Sequence, residues 1–136
     1  MPYVIKAGTT DAGAEILVFT RQKTMYGGKH IADGDTIFVF ASEHEGGSGL
    51  IARGIVTVAK PVAKAAGRER QTPRVSITIR RTARAKRRLG RSELRLWSEW
   101  TDDRPETELN FKLYRQATNK IVGITDRAAA FLETFF

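Results

Sequence analysis

Gly34-Asp35-Thr36-Ile37-Phe38-Val39-Phe40-Ala41-Ser42 decides how this chain is read, together with Gly49-Leu50-Ile51-Ala52-Arg53-Gly54-Ile55-Val56-Thr57-Val58 just beyond it. Gly34-Asp35 is a turn signal. Thr36 to Ala41 is a short, unbroken apolar run, which predicts a strand covered on both faces. Leu50 to Val58 is a second strand, and the Gly- and Glu-rich loop 42–49 joins the two as a hairpin. Gly54 inside that strand predicts a bulge or a close backbone approach, as at a barrel corner.

Reading outward, Arg74 to Arg81 has period two: Val75, Ile77 and Ile79 on one face, Arg74, Ser76, Thr78 and Arg80 on the other. That is a half-buried strand with a partly cationic outer face. Tyr3 to Ala7 is an N-terminal strand. Ala14 to Phe19 fits either a strand or a helical turn, and Arg21 to Asp33 reads as a loop. Ser92 to Trp100 reads as a short helix capped by Ser92 and ended by the segment that contains Pro105. Leu109 to Tyr114 alternates weakly, as a strand would, and Ile121 to Ile124 is a short strand. Thr125 or Asp126 caps a last helix, Arg127 to Phe135. The expected architecture is α+β: one domain over residues 1–136, a small, mixed, mostly antiparallel β pseudo-barrel flanked by short helices.

The charge is uneven. The chain carries a formal +8, yet residues 60–91 alone hold twelve Lys and Arg against one Glu, so the remainder is at −3. Arg predominates, and its planar fork suits phosphate better than the Lys ammonium does. A polyanion-binding face is therefore expected, with a solvated basic surface as the plainer alternative.

Several chemistries are excluded. There is no cysteine, hence no disulfide scaffold, thiolate zinc site or cysteine nucleophile. His30 and His44 have no carboxylates at metal spacing, so no metal is expected. Gly46-Gly47-Ser48-Gly49 lacks the Lys-Ser/Thr of a phosphate-binding loop, and no cofactor is expected. The start of the chain does not read as a secretory leader, and no apolar run approaches membrane-span length. A soluble, cytoplasmic domain with no membrane partner is expected. Trp97 and Trp100 are most simply core residues of the short helix, with base stacking as the alternative. Tyr26 lies in a Gly-rich loop, and Tyr114 precedes Arg115-Gln116, a setting that suits stacking on a base.

The order of these features resembles a known family. Tyr3-Val4-Ile5-Lys6, the 34–42 stretch, the 49–58 strand with its central Gly, Phe111-Lys112-Leu113-Tyr114-Arg115-Gln116 and Ile121-Val122-Gly123-Ile124-Thr125 together look like the EVE domain. This belongs to the PUA-like superfold and is a relative of the YTH and ASCH domains. The resemblance implies a pseudo-barrel whose pocket, between barrel and helix, reads a modified or flipped base in RNA or DNA. It makes Tyr26, Ser42, Trp100, Arg115 and Gln116 base-pocket candidates. Arg68, Arg70, Arg80, Arg81, Arg84, Lys86, Arg87, Arg88 and Arg91 would then track the phosphates. Two other readings compete. One is an ASCH-like enzyme, a ribonuclease or nucleoside amidohydrolase, using Lys23, Thr24, Lys29 and Glu43. The other is a protein-docking factor whose basic segment is only a contact patch.

Overall fold

Alternation along the first two central strands builds two cores back to back. In β1 (Tyr3–Ala7) and β3 (Thr36–Ala41) of the computed structural model, Tyr3, Ile5, Ile37 and Val39 face one cluster, and Val4, Phe38 and Phe40 the other. The structure describes residues 1–9, 13–64, 66–67 and 71–136. The first cluster is the interior of a barrel, completed by Leu17, Phe19, Val56, Val75, Ile77, Ile79 and Ile121. The second lies between the barrel wall and the helices, and adds Leu94, Leu109, Leu113, Ala128 and Leu132. A strand that serves both cores must be apolar on both faces, hence the unbroken run at 36–41. Phe38 and Phe40 are wholly buried, and each such ring stabilises the fold by roughly 1.5–3 kcal/mol.

The barrel is closed in the order β1-β3-β4-β5-β2-β6, with β2 at Ile16–Met25, β4 at Gly49–Pro61, β5 at Arg74–Arg84 and β6 at Lys120–Gly123. Four of its six pairings are antiparallel; β1 with β3 and β2 with β6 are parallel. The 36–41 and 49–61 strands form the expected hairpin. At Gly54 the register against β5 shifts, and a methyl there would overlap Ile79 Cγ2 and stand 2.7 Å from the Arg80 carbonyl oxygen. Both readings of that glycine therefore hold, a bulge and a close approach. Val75, Ile77 and Ile79 are buried as their period predicts.

The registers define two ends. Ala7, Ala41, Gly49, Arg84 and Lys120 lie at one, the upper mouth. Tyr3, Gly123 and Met25 lie at the other.

Several expectations are corrected. Residues 21–25 are strand, not loop: β2 runs ten residues, with a bulge between Phe19 and Gln22 where Arg21 takes φ +54°. Its outer face is in water, so Thr20 and Lys23 cost nothing there, and the bulge breaks the sequence alternation. The helix expected over Ser92 to Trp100 is one turn, α1 (Arg91–Leu94), and begins after Gly90 rather than on Ser92. Leu94 is buried as expected, whereas Leu96 is 79% exposed. Pro105 opens a helix instead of closing one. The supposed strand at Leu109 to Tyr114 belongs to α2 (Pro105–Leu113), with Pro at its first position and Leu109 and Leu113 inward at spacing four. Within the cationic 84–91 stretch, Leu89 is buried. The last helix, α3 (Asp126–Glu133), is capped as predicted: Thr125 Oγ1 accepts the Ala128 N–H at 3.1 Å.

Candidate functional site

At the upper mouth, β1 and β6 turn one lysine each away from the barrel and toward α2. Lys6 and Lys120 are cross-strand partners, and each is almost completely buried. Lys6 Nζ donates to the Leu113 carbonyl at 2.6 Å and lies 4.9 Å from the centre of the Tyr114 ring. Lys120 Nζ donates to the Gln116 carbonyl at 2.8 Å. Lys6 thus takes up a carbonyl that the last turn of α2 leaves without a helical partner, and Lys120 one in the turn that follows. Burial lowers the Lys6 ammonium to about 8, and the charge of Lys120 beside it acts the same way. Burial lowers Lys120 as well.

Glu43, in the turn after β3, fastens this end together. Its carboxylate accepts the Tyr114 hydroxyl at 3.0 Å and the Arg91 backbone N–H at 2.7 Å. Burial first, and then the Glu43 charge, push the Tyr114 phenol far above its ordinary value. Ser42 is buried beside it. Its N–H donates to the Ala7 carbonyl, and its own carbonyl accepts the N–H groups of Glu45 and Gly47. Asn119 donates to Glu45 at 2.7 Å and closes the rim.

The basic segment runs along the same rim. Arg84, Lys86, Arg87 and Arg88 line a groove of about 450 Å³ with Gly13, Ser48 and Leu50. The four cations differ in freedom. Arg87 donates to the Thr134 carbonyl at 2.8 Å and stacks 4.3 Å from the Phe135 ring, which makes it part of the packing. Arg84 makes a long bond of 3.3 Å to the Gly13 carbonyl, and Arg88 reaches Glu93 at 3.6 Å. Arg81 is tied to the carbonyls of Gly13 and Ala14, whereas Arg80 is exposed on β5. Arg91 is exposed, with only its backbone on Glu43. Arg68 and Arg70 lie outside the described residues.

The five base-pocket candidates fall in two places. Ser42 and Gln116 belong to the upper mouth, with Lys6, Lys120 and Glu43. Tyr26, Trp100 and Arg115 gather on the outer side of α2 around Phe111. The Trp100 ring meets Phe111 edge-on at 5.5 Å, Tyr26 meets it at 6.1 Å, and the Arg115 guanidinium lies 4.8 Å from Phe111 and 5.4 Å from Trp100. Tyr26 is held with φ +51°, its carbonyl accepting the Gly123 N–H. Neither Trp is a core residue of the short helix as expected: both lie beyond its end at Leu94, Trp97 stacks with Arg104 at 5.3 Å, and Trp100 is exposed.

The residues named for an enzyme are not assembled. Lys23 and Thr24 lie at the lower end of β2, where Thr24 Oγ1 is spent on the Pro73 carbonyl at 2.7 Å, and Glu43 is at the upper mouth. Lys29 is exposed in the 28–30 turn. Sequence reasoning missed Lys6, Lys120 and Phe111. A Lys inside the buried pentapeptide 3–7 was a usable signal, because a charge in an apolar run must find partners.

No family model matches the sequence, and no curated protein matches it either. The closed, mixed six-stranded barrel with short helices packed on it is a PUA-like fold. Within that class the chain has the EVE-type fold, that of the DUF55 domains. It superposes on the DUF55 domain of human thymocyte nuclear protein 1 with a TM-score of 0.66, covering 98% of this chain and 97% of that one at 9% identity. Human THYN1 protein in complex with DNA containing 5-methylcytosine gives 0.65 at 11% identity, over 97% and 95% of the two chains. A protein from Pseudomonas syringae gives 0.60 at 15% identity, over the full length of both. Among the described residues, no helix is long and apolar enough to cross a membrane.

Proposed function

We propose that this chain is a nucleic-acid-binding module that reads a modified or flipped base at the upper mouth while the 80–91 segment holds the phosphates. The observation that carries the reading is the double use of Glu43. The same carboxylate takes the Tyr114 hydroxyl at the mouth and the Arg91 N–H of the cationic segment. A nucleic-acid backbone lying in the Arg84–Arg88 groove would lie at the barrel end that carries Ser42, Gln116, Lys6 and Lys120. Arg forks position the phosphates, and the mouth carries the specificity. The fold shared with a protein crystallised on methylated DNA supports the same reading.

The test is a binding screen of short DNA and RNA oligonucleotides, with and without modified cytosine or adenine, at two salt concentrations. Salt-sensitive binding is expected, with one modified base preferred. Neutralising Arg84, Lys86 and Arg88 together should weaken every oligonucleotide alike. Binding unchanged by that substitution would overturn the phosphate part, and equal affinity for all bases would overturn the base-reading part.

A further inference from the structure

A second cavity, of about 260 Å³, opens between α2, the start of α3 and the segment that leads into α2. It lies just under the ~300–1,000 Å³ of drug-sized sites, so its occupant is small. The charged groups that line it divide into those already engaged and those still free. Glu108 accepts Lys112 Nζ at 3.0 Å and the Thr125 N–H at 2.9 Å. Asp102 accepts the Arg104 N–H at 3.1 Å, and the Arg104 guanidinium lies 5.3 Å from the Trp97 ring. Two groups remain. Among the described residues, neither the Asp103 carboxylate nor the Arg127 guanidinium has a hydrogen bond or an ion pair, and both residues are exposed.

These two free groups have opposite signs and line one cavity, yet they do not pair with each other. Asp103 stands just before α2, and Arg127 is in the first turn of α3. The wall between the charged groups is apolar: Trp100, 40% exposed, meets Phe111 edge-on at 5.5 Å. The matching ligand carries the inverse of each feature. An ammonium donates to Asp103, a carboxylate accepts from Arg127, and an apolar group covers the aromatic wall. An anion alone, phosphate included, would face the Asp103 carboxylate, so the site is unlike the Arg84–Arg88 groove. A cation alone would face Arg127, and an uncharged ring would use neither group.

We infer that this cavity binds a small zwitterion, a free α-amino acid with a large apolar side chain. Its ammonium lies on Asp103, its carboxylate on Arg127, and its side chain against Trp100 and Phe111. The site takes a ligand of a different class from the nucleic acid proposed for the upper mouth, and it stands whether or not that mouth reads a base.

The experiment titrates the isotope-labelled full chain with leucine, phenylalanine and tryptophan, followed by amide and indole N–H spectra. At least one probe should give saturable shifts at the Trp100 indole and at the Asp103 and Arg127 amides. Its N-acetyl form lacks the ammonium and its amide form lacks the carboxylate. Each should bind about two- to fivefold more weakly than the free amino acid, the worth of one solvent-exposed ion pair. Glycine, without the side chain, should bind more weakly as well. Asp103→Asn should erase the difference between the free and acetylated forms, and Arg127→Gln the difference between the free and amidated forms, as coupled pairs require. Both residues are exposed and free of partners among the described residues, so the melting temperature without ligand should not change. Neutralising Arg84, Lys86 and Arg88 should leave amino-acid binding intact while oligonucleotide binding falls. Three outcomes would overturn the inference: no saturable shift at these residues at millimolar probe, acetylated and amidated forms that bind as tightly as the free amino acid, or folded Asp103→Asn and Arg127→Gln variants that bind as the parent does.

Discussion

Replacing Arg84, Lys86 and Arg88 together by Gln tests the phosphate face most directly. These three are exposed on the groove and carry only weak ties: a 3.3 Å bond from Arg84, a 3.6 Å ion pair from Arg88, and a backbone contact from Lys86 to the Phe135 carbonyl. Arg87 is left in place because its guanidinium is stacked on Phe135 and bonded to Thr134. Removing it would loosen the chain end and confuse folding with binding. Each neutralised phosphate contact contributes about −0.9 to the slope of log affinity against log salt on duplex DNA, and about −0.7 on a single strand. Three lost contacts should make the slope shallower by about 2.7 or 2.1. Over a fourfold rise in salt, the parent should then lose about 40-fold more affinity than the variant on duplex, and about 20-fold more on a single strand. Fluorescence anisotropy with a labelled oligonucleotide at four or more salt concentrations reads both numbers. A melting curve confirms that the triple variant is folded. An unchanged slope in a folded variant would refute the assignment of this face to phosphates, whatever happened to the affinity at one salt.

Three further predictions concern the scaffold that holds the sites. Gly54→Ala forces a methyl against Ile79 and the Arg80 carbonyl inside a closed ladder. It should cost about 1–3 kcal/mol in denaturant unfolding. Lys6 holds its proton to about 8 in the folded chain and to about 10.5 when unfolded. The unfolded chain therefore binds the extra proton between those values, and stability should rise from pH 8 to pH 10. Above 10 the raised Tyr114 phenol acts with the opposite sign, so melting temperatures across pH 8–10 are the useful window, and Lys6→Met should reduce the rise. Burial raises the Glu108 carboxyl, but the bonds from Thr125 and Lys112 outweigh it and hold the group below 4.5. Its stabilisation is present above that value and lost as the pH falls below it. Glu108→Gln should remove about 1–3 kcal/mol at neutral pH and flatten the acid limb of the stability profile.

What could be read from the chain alone follows from local rules. The unbroken apolar run at 36–41, the period-two strand at 74–81, the Gly34-Asp35 turn and the Thr125 cap depend on a residue and its near neighbours, and all four stand in the structure. The concentration of cations between residues 60 and 91 is likewise a property of the sequence. The misread segments share a different cause. Leu109 to Tyr114 alternates weakly and lies in a helix, because Leu109 and Leu113 meet a core supplied by β1, β3 and α3. Residues 21–25 look like loop and are strand, because β5 and β6 supply hydrogen bonds that their own side chains do not advertise.

The sites divide the same way. Ser42 was legible as a polar residue at a strand end. That two lysines far apart in sequence would be buried side by side was not, because only the β1–β6 register makes Lys6 and Lys120 partners. Nor does any local pattern place Tyr26, Phe111 and Trp100 in one cluster. Sequence alone determined which segments could be strands and where the positive charge lies, since both are set by neighbours along the chain. Tertiary structure decided which polar groups meet, which cations remain free and where a cavity opens, since these depend on the closure of the barrel and on α2 packing against its wall.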